Sequence, residues 1–230
     1  MHRTTSAVAA GAMAVALLTG CQLMPGTSGP DSTGPENTSA SDTGAGGSGD
    51  GPHTIPPQLL ECGESSDPEV QLTDALVASD GQWSVPAGYQ PAEGYYDDLA
   101  YEEQSFLETL VPESPGYHTL DLLGVIGYVG LDWGQYAREC NRVPVEAMLE
   151  RVAEYERALG AEAIDDAELT EVAGLPAVTQ AMEIPRYTFR GYWLFSQTEL
   201  LFIGCQWTSD HAREEIEMGC AEIVGSVQVG

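Results

Sequence analysis

The sequence predicts an α+β fold in which a β-sheet is covered by helices on both faces. The strand-like segments of the C-terminal half carry apolar residues on both of their faces, which is typical of a sheet buried on both sides. Two segments with apolar residues at helical spacing flank these strands. With 230 residues, of which 43% are hydrophobic, the chain is long enough for one domain with a sizeable core.

The first of the two helices is predicted over 144–159. Pro144 stands near its start and Gly160 follows its end, as is common for helices. Its apolar stripe consists of Val145, Met148, Leu149, Val152, Tyr155 and Leu159. The other side of the helix is rich in Glu and Arg, and we expect it to face solvent.

Four strands are predicted after this helix, because β-branched and aromatic residues are frequent there. They lie at 168–172, 178–184, 187–196 and 200–207, with a turn at 174–176. One face of the third strand carries Tyr187, Phe189, Trp193 and Phe195, and the other carries Arg190, Tyr192 and Leu194. One face of the fourth carries Leu201, Ile203, Cys205 and Trp207, and the other carries Leu200 and Phe202.

The second helix is predicted over 209–225, with Thr208, Ser209 or Asp210 as its N-cap. Its apolar stripe consists of Ala212, Ile216, Cys220, Ile223 and, at or beyond the helix end, Val227. In the N-terminal half we expect strands at 82–85 and 120–128. The acidic and aromatic segment 89–106 has no clean period.

The order of these elements resembles a known family. A helix, a strand that ends in Val172-Ala173-Gly174-Leu175-Pro176-Ala177, three strands and a last helix before Ser226-Val227 are similar to the PsbP-like fold. This fold also occurs in actinobacterial lipoproteins of the LpqN type, and the resemblance covers 144–229. It implies an antiparallel sheet in an α/β/α sandwich and a binding or accessory role, and it carries over no catalytic residue.

Residues 1–20 are predicted to be a lipoprotein signal peptide. Arg3 precedes an apolar run over 7–18, which is too short for a membrane-spanning helix of roughly 20 residues. The run ends in Leu18-Thr19-Gly20-Cys21, which resembles the lipobox of bacterial lipoproteins. That resemblance implies cleavage before Cys21 and attachment of a diacylglycerol to its thiol. The alternative is an ordinary secretory signal with a chance cysteine, but its Ala-x-Ala sites would lie inside the apolar run.

Residues 21–54 are predicted to be the lipidated cysteine and a disordered linker. The stretch is rich in Gly, Ser, Thr and Pro and has no aromatic residue, so it cannot form a packed core. We expect a single globular extracytoplasmic domain over 55–230. The predicted location is the outer face of the cell membrane, with the membrane as a partner through the lipid on Cys21.

The net charge of the chain argues against a nucleic-acid partner. There are 36 Asp and Glu residues against 8 basic ones, which gives a net charge of -28. Such a surface repels nucleic acid, so we expect no nucleic-acid partner. The acidic pairs do not follow the spacing of a calcium loop and are interpreted as solvated charge; they are Asp97-Asp98, Glu102-Glu103 and Asp165-Asp166. We find no motif for a metal or a cofactor.

Four cysteines follow Cys21, and an even number in an exported domain favours disulfides. Cys205 shares a strand face with apolar residues, and Cys220 shares a helix face with apolar residues. A helix that folds back over the preceding strand would bring these faces together, which favours Cys205–Cys220 and leaves Cys62–Cys140. Sequence alone leaves the other connectivities open. A zinc site is the rival, but the chain has no C-x₂-C pair and no histidine at ligand spacing.

Aromatic residues interleave with acidic ones in the segment 89–106. A ligand groove is one interpretation, with Tyr89, Tyr95, Tyr96 and Tyr101 as its binding residues. The alternative is a loop whose aromatic side chains, including Phe106, reach into the core.

Catalysis has little support in the sequence. His118 has Asp121 nearby, and His211 is expected to be exposed, but no serine stands in a G-x-S-x-G context. The sequence therefore predicts a non-enzymatic lipoprotein that binds a small ligand or an envelope protein. The alternatives are an envelope assembly or docking factor and an uncharacterised hydrolase.

Overall fold

A computed structural model gives the structure of residues 62, 67–73, 76–97, 99 and 101–229. The predicted signal peptide, Cys21 and the linker over 21–54 lie outside these described residues, as do 55–61 of the predicted domain.

Ten strands and three helices are present in the described residues. The strands are β1 (Glu69–Gln71), β2 (Tyr89–Pro91), β3 (Glu103–Pro112), β4 (Leu122–Val129), β5 (Arg142–Pro144), β6 (Glu162–Ala163), β7 (Glu168–Val172), β8 (Leu175–Ile184), β9 (Tyr187–Phe195) and β10 (Glu199–Trp207). The helices are α1 (Gln135–Cys140), α2 (Val145–Leu159) and α3 (Asp210–Ser226), and a short 3₁₀ turn covers Ala78–Asp80.

Eight of the strands form one antiparallel sheet, in the order β2-β3-β4-β10-β9-β8-β6, and β7 also pairs with β8. The remaining two, β1 and β5, pair with each other. The predicted α+β class with an antiparallel sheet is confirmed.

Helices cover both faces of this sheet. The apolar stripe of α3 packs on one face, which we call the α3 face, together with Leu201, Ile203, Cys205 and Trp207 of β10. The stripe of α2 packs on the other, the α2 face, together with Leu200 and Phe202 of β10. Successive residues of a strand therefore pack into two separate cores, one on each face of the sheet, as the two-sided apolar pattern predicts.

The ends of both long helices have local causes. Gly160 follows α2 at a φ of 62°, a left-handed conformation that glycine adopts without strain. Ser209 caps α3, because its side-chain oxygen accepts a hydrogen bond from the N–H of Ala212 at 3.3 Å. Val227 lies just beyond α3 and is buried.

The expected strand at 82–85 is wrong. Gln82 forms only an isolated bridge with Gln228, and the N–H of Ser84 donates to the hydroxyl oxygen of Ser226. This segment therefore runs along the end of α3, outside the sheet. The segment 89–106, which shows no clean period, contains β2 and the start of β3, where a bulge between Gln104 and Phe106 breaks the alternation.

Two other boundaries differ from expectation. The strand expected at 120–128 spans Leu122–Val129. The turn expected at 174–176 is made by Ala173 and Gly174, both at positive φ, so β8 begins directly at Leu175.

Two disulfides join the elements. Cys205 of β10 is bonded to Cys220 of α3, with the Cα atoms 5.8 Å apart. Cys62 is bonded to Cys140 at the end of α1, with a Cα separation of 5.5 Å. These are the two pairings that the sequence favours. Disulfides of this kind are typical of proteins outside the cytoplasm. None of the described helices has the length and apolar content needed to cross a membrane.

Candidate functional site

A cavity of about 140 Å³ lies on the α2 face of the sheet. Its floor is formed by β3, β4, β9 and β10, and residues 94–97 and 99 form a wall above it. The aliphatic and phenylalanine side chains that line it are those of Leu99, Leu107, Leu120, Leu122, Ile126, Phe189 and Phe202. The cavity is therefore a mainly apolar space between the sheet and the segment that follows β2.

A row of glycines crosses three strands at and beside the floor of the cavity. Gly204 of β10 pairs with Gly124 of β4 on one side and with Gly191 of β9 on the other. Rings cover two members of this row, that of Trp193 over Gly191 and that of Phe202 over Gly204. Gly124 remains uncovered, because a Cβ atom at this position would have Gly204 O, 3.9 Å away, as its nearest neighbour. The missing side chain of Gly124 thus leaves the space open.

Tyr95 and Tyr96 line the cavity, as the ligand-groove interpretation expects. The hydroxyl of Tyr95 donates to the carbonyl oxygen of Thr119 at 2.9 Å, which fixes its ring in place. Tyr96 is 78% exposed. An exposed tyrosine ring beside an apolar cavity can contact a ligand that enters it.

The other two predicted groove residues lie elsewhere. Tyr89 is buried on the α3 face, where its hydroxyl donates to the carbonyl oxygen of Glu215 at 2.9 Å. Tyr101 packs against Tyr155 and Phe202 on the α2 face, with ring centroids 4.4 and 5.2 Å apart. Neither lines the cavity, so for these two tyrosines the alternative interpretation, aromatic side chains that reach into the core, is the correct one.

The polar groups around the cavity are mostly engaged. Asp97 accepts hydrogen bonds from the hydroxyl of Tyr128 at 2.7 Å and from the N–H of Leu99 at 2.8 Å. Gln206 donates from its side-chain amide to the carbonyl oxygen of Leu120 at 2.7 Å. Arg186, in the exposed turn between β8 and β9, places its guanidinium 5.7 Å from the ring centroid of Tyr187.

The Tyr128 hydroxyl remains protonated at neutral pH. Burial, and after it the negative charge of Asp97, raises the pKa of Tyr128 far above its ordinary value. This hydroxyl therefore acts as a hydrogen-bond donor to Asp97, and the pair orients the cavity wall without supplying an acid or a base near pH 7.

The residues considered for a hydrolase serve a structural purpose. Asp121 is buried and accepts hydrogen bonds from the backbone N–H groups of His118 and Thr208, each at 2.7 Å. The imidazole Nδ1 of His118 accepts from the N–H of Leu120 instead. His211 is exposed and stacks on the ring of Tyr117. Asp121 therefore clamps the start of β4 to the end of β10 and does not orient an imidazole.

The acidic residues likewise pair with protein groups. Glu102 contacts Arg151 at 3.0 Å. Burial by itself would raise the pKa of Asp165, but hydrogen bonds from the Ala181 N–H and from Arg190 hold that pKa below its ordinary value. Within the described part of the chain, no group of three or more histidine, cysteine or acidic residues is placed to hold a metal ion.

Sequence reasoning missed Gly124 and Thr109, which border the cavity together. The sequence feature that could have indicated the cavity is the presence of glycines inside apolar strands, because a glycine has no side chain to fill the space above the sheet. Only the strand register brings Gly124 beside Gly204, which is 80 positions further along the sequence, and that register depends on the long-range pairing of β4 with β10.

The sequence matches no family model and no curated protein. In structure the chain is similar to LpqN of Mycobacterium tuberculosis, described as involved in cell envelope biogenesis, with a TM-score of 0.44, 11% identity, and coverage of 72% of this chain and 92% of that chain. It is also similar to the cyanobacterial PsbP protein of Synechocystis, with a TM-score of 0.37, 15% identity, and coverage of 63% and 94%. At these identities the likeness concerns the path of the chain and assigns no residue a role.

Proposed function

We propose that the protein is a lipid-anchored extracytoplasmic binding protein that holds a small apolar ligand in the cavity over Gly124. The observation that carries this proposal is the open floor of the cavity. An apolar space of about 140 Å³ is preserved where one side chain in a packed sheet is missing. Small-molecule sites are typically concave, mainly apolar spaces of this kind with a few polar groups at fixed positions.

The size of the cavity limits the ligand. An engineered apolar cavity of about 150 Å³ stays dry and binds benzene or xenon. The cavity over Gly124 is nearly the same size and is lined mainly by apolar side chains. It therefore suits one ring or a short hydrocarbon segment, and any larger part of a ligand would extend past Tyr96 into solvent.

The anchor in this proposal is a diacylglycerol on Cys21. Two acyl chains give stable anchoring, because each buried CH₂ contributes about 0.8 kcal/mol and one chain alone is marginal. The 33 linker residues after it would have a root-mean-square reach of about 30 Å. Such a tether keeps the domain, and its cavity, close to the membrane surface.

Cys21→Ser is expected to move the protein from the detergent-rich phase to the aqueous phase in a detergent partition, because it removes the thiol that takes the lipid. Ser28→Ala is the control, since it is a single change in the predicted linker that leaves the Cys21 thiol in place. If the Cys21→Ser protein stays in the detergent-rich phase, the anchor assignment fails.

Gly124→Val is expected to abolish ligand binding, because the added side chain fills the cavity from its floor. Gly124 has extended backbone within β4, and a Cβ atom meets no atom closer than 3.9 Å, so the variant is expected to fold. The measurement is mass spectrometry of small molecules extracted from the full-length protein after purification in native membrane particles.

Gly225→Ala is the control for this experiment, because a Cβ atom there has no neighbour within 4 Å and lies in α3, away from the cavity. The proposal requires a molecule that accompanies the wild-type and Gly225→Ala proteins and is lost in Gly124→Val. Identical extracts from all three proteins would overturn it.

The exposed ring of Tyr96 favours a second candidate function, docking on another envelope protein. In that case the cavity would receive an apolar side chain of the partner. A photoreactive amino acid at position 96 separates the two functions, because crosslinks to one protein would indicate docking and their absence would indicate a small ligand.

A further inference from the structure

The chemistry around Gly124 also narrows the class of ligand, provided that the cavity binds a ligand as proposed. We infer that the ligand presents a single uncharged aromatic ring that carries a hydroxyl group, as in a phenol. Three features of the cavity lead to this class: its size, the shape of its walls, and the hydroxyl group of Thr109 on its floor.

The size of the cavity fits one six-membered ring. Its volume of about 140 Å³ is close to that of cavities that accept benzene. The second ring of a fused pair, or most of a long acyl chain, would extend past Tyr96 into solvent.

The shape and lining of the cavity favour a flat ring over a bulky aliphatic group. Gly124 leaves bare backbone on the floor, and the ring of Phe202 lies over its register partner Gly204. Phe189 and Phe202 stand beside this floor as aromatic walls. Aromatic pairs in edge-to-face or offset geometry gain energy beyond the area that they bury.

Thr109 supplies the polar contact. It pairs with Gly124 in the register of β3 and β4, so its side chain lies on the same sheet face as the cavity that it lines. The residue is only 4% exposed. Its backbone oxygen accepts from the N–H of Ala92, whereas its hydroxyl makes no hydrogen bond with the other described residues. This hydroxyl is therefore free to pair with a ligand hydroxyl that enters the cavity.

The polar groups argue for an uncharged ligand. Thr109 and Gln206 are neutral, and the carboxylate of Asp97 is already engaged by Tyr128 and Leu99. The one cationic group among the described residues of the lining, the guanidinium of Arg186, lies over the ring of Tyr187. A phenol is neutral at physiological pH, since its pKa is about 10. It would therefore enter without the desolvation penalty of a charged group.

The test compares three probes of similar size, namely p-cresol, toluene and methylcyclohexane. Equilibrium dialysis measures their binding to full-length protein in phosphatidylcholine vesicles. Vesicles that carry the Gly124→Val variant serve as the blank. The amount of probe that partitions into the lipid is the same in both samples, and it is removed when the blank is subtracted. We expect p-cresol to bind about two- to tenfold more tightly than toluene through its hydrogen bond. We expect toluene to bind about two- to tenfold more tightly than methylcyclohexane through aromatic contacts.

Thr109→Val gives the decisive comparison, because it replaces the hydroxyl with a methyl group and keeps the branched shape. We expect the preference for p-cresol over toluene to disappear in this variant. A preference that survives in Thr109→Val would overturn the role of the hydroxyl. Equal binding of all three probes to the wild-type protein would overturn the phenol class and leave the proposed function standing. If no probe binds the wild type above the Gly124→Val blank, the proposed function itself fails.

Discussion

Raising the pH above 10 is expected to unfold the protein cooperatively, because four buried tyrosines cannot ionise in the folded state. These are Tyr89, Tyr101, Tyr128 and Tyr155. Burial is the largest cause that raises the pKa of each, and the nearby carboxylates of Glu215, Asp97 and Glu102 raise these pKa values further. In the unfolded chain the same groups titrate near pH 10.

The direction and size of this effect follow from proton linkage. Above pH 10 the unfolded chain releases protons that the folded chain retains, so stability is lost as the pH rises. Each such group costs about 1.4 kcal/mol per pH unit, and four together cost about 5 kcal/mol per unit. Since whole domains have a stability of about 5–15 kcal/mol, the midpoint should fall at about pH 11–13.

The measurement is a pH titration followed both by tyrosinate absorbance and by far-ultraviolet circular dichroism. The two signals should change together for the buried tyrosines. Tyr96→Phe is the control, because this ring is 78% exposed and its removal should leave the midpoint unchanged. Smooth ionisation of all ten tyrosines near pH 10 with the secondary structure intact would contradict the buried placement.

Removal of the Cys205–Cys220 disulfide is expected to lower the free energy of unfolding by at least about 3 kcal/mol. The bond closes a loop with a sequence separation of 15 residues, and the chain-entropy model gives about 3 kcal/mol for such a loop. Both cysteines are also buried on the α3 face, so the double change to alanine removes packed sulfur atoms as well.

Urea unfolding of the Cys205→Ala/Cys220→Ala protein measures this loss. The matched variant is Cys62→Ala/Cys140→Ala, whose bond spans 78 residues and for which the same model gives about 4.5 kcal/mol. Thiol titration of the denatured wild-type domain without reductant should find none of these four cysteines free. Free thiols at these positions, or double variants as stable as the wild type, would contradict the pairing.

The C-terminal half of the fold was predictable because its signals are local. The apolar stripes of α2 and α3 have helical spacing, and alternate residues of β9 and β10 fall into the two cores as expected. The cysteine pairing of Cys205 with Cys220 follows from the same facts, since a helix directly after a strand must fold back over it.

The N-terminal half was not predictable in the same way. β3 carries Glu103, Gln104 and Glu108, and the bulge near Ser105 shifts its alternation, so its sequence lacks a strand period. The pairing of β3 with β4 compensates for this through long-range hydrogen bonds that no local pattern reveals.

The cavity shows the same division between local and long-range information. The aromatic segment pointed to Tyr95 and Tyr96, which line the cavity, and equally to Tyr89 and Tyr101, which belong to the cores. Nothing local separates these four side chains. Whether each tyrosine lines the cavity or packs in a core depends on the sheet face that it contacts. The open floor at Gly124 likewise depends on the register in which β4 and β10 pair.

Xenon binding tests the central claim most directly, because xenon enters dry apolar cavities of this size. Crystals of the protein under xenon pressure should show a xenon atom above Gly124, between Ile126 and Phe202, and crystals of Gly124→Val should show none there. Ordered water in the wild-type cavity, or the same xenon site in both proteins, would show that this space is not an apolar ligand site.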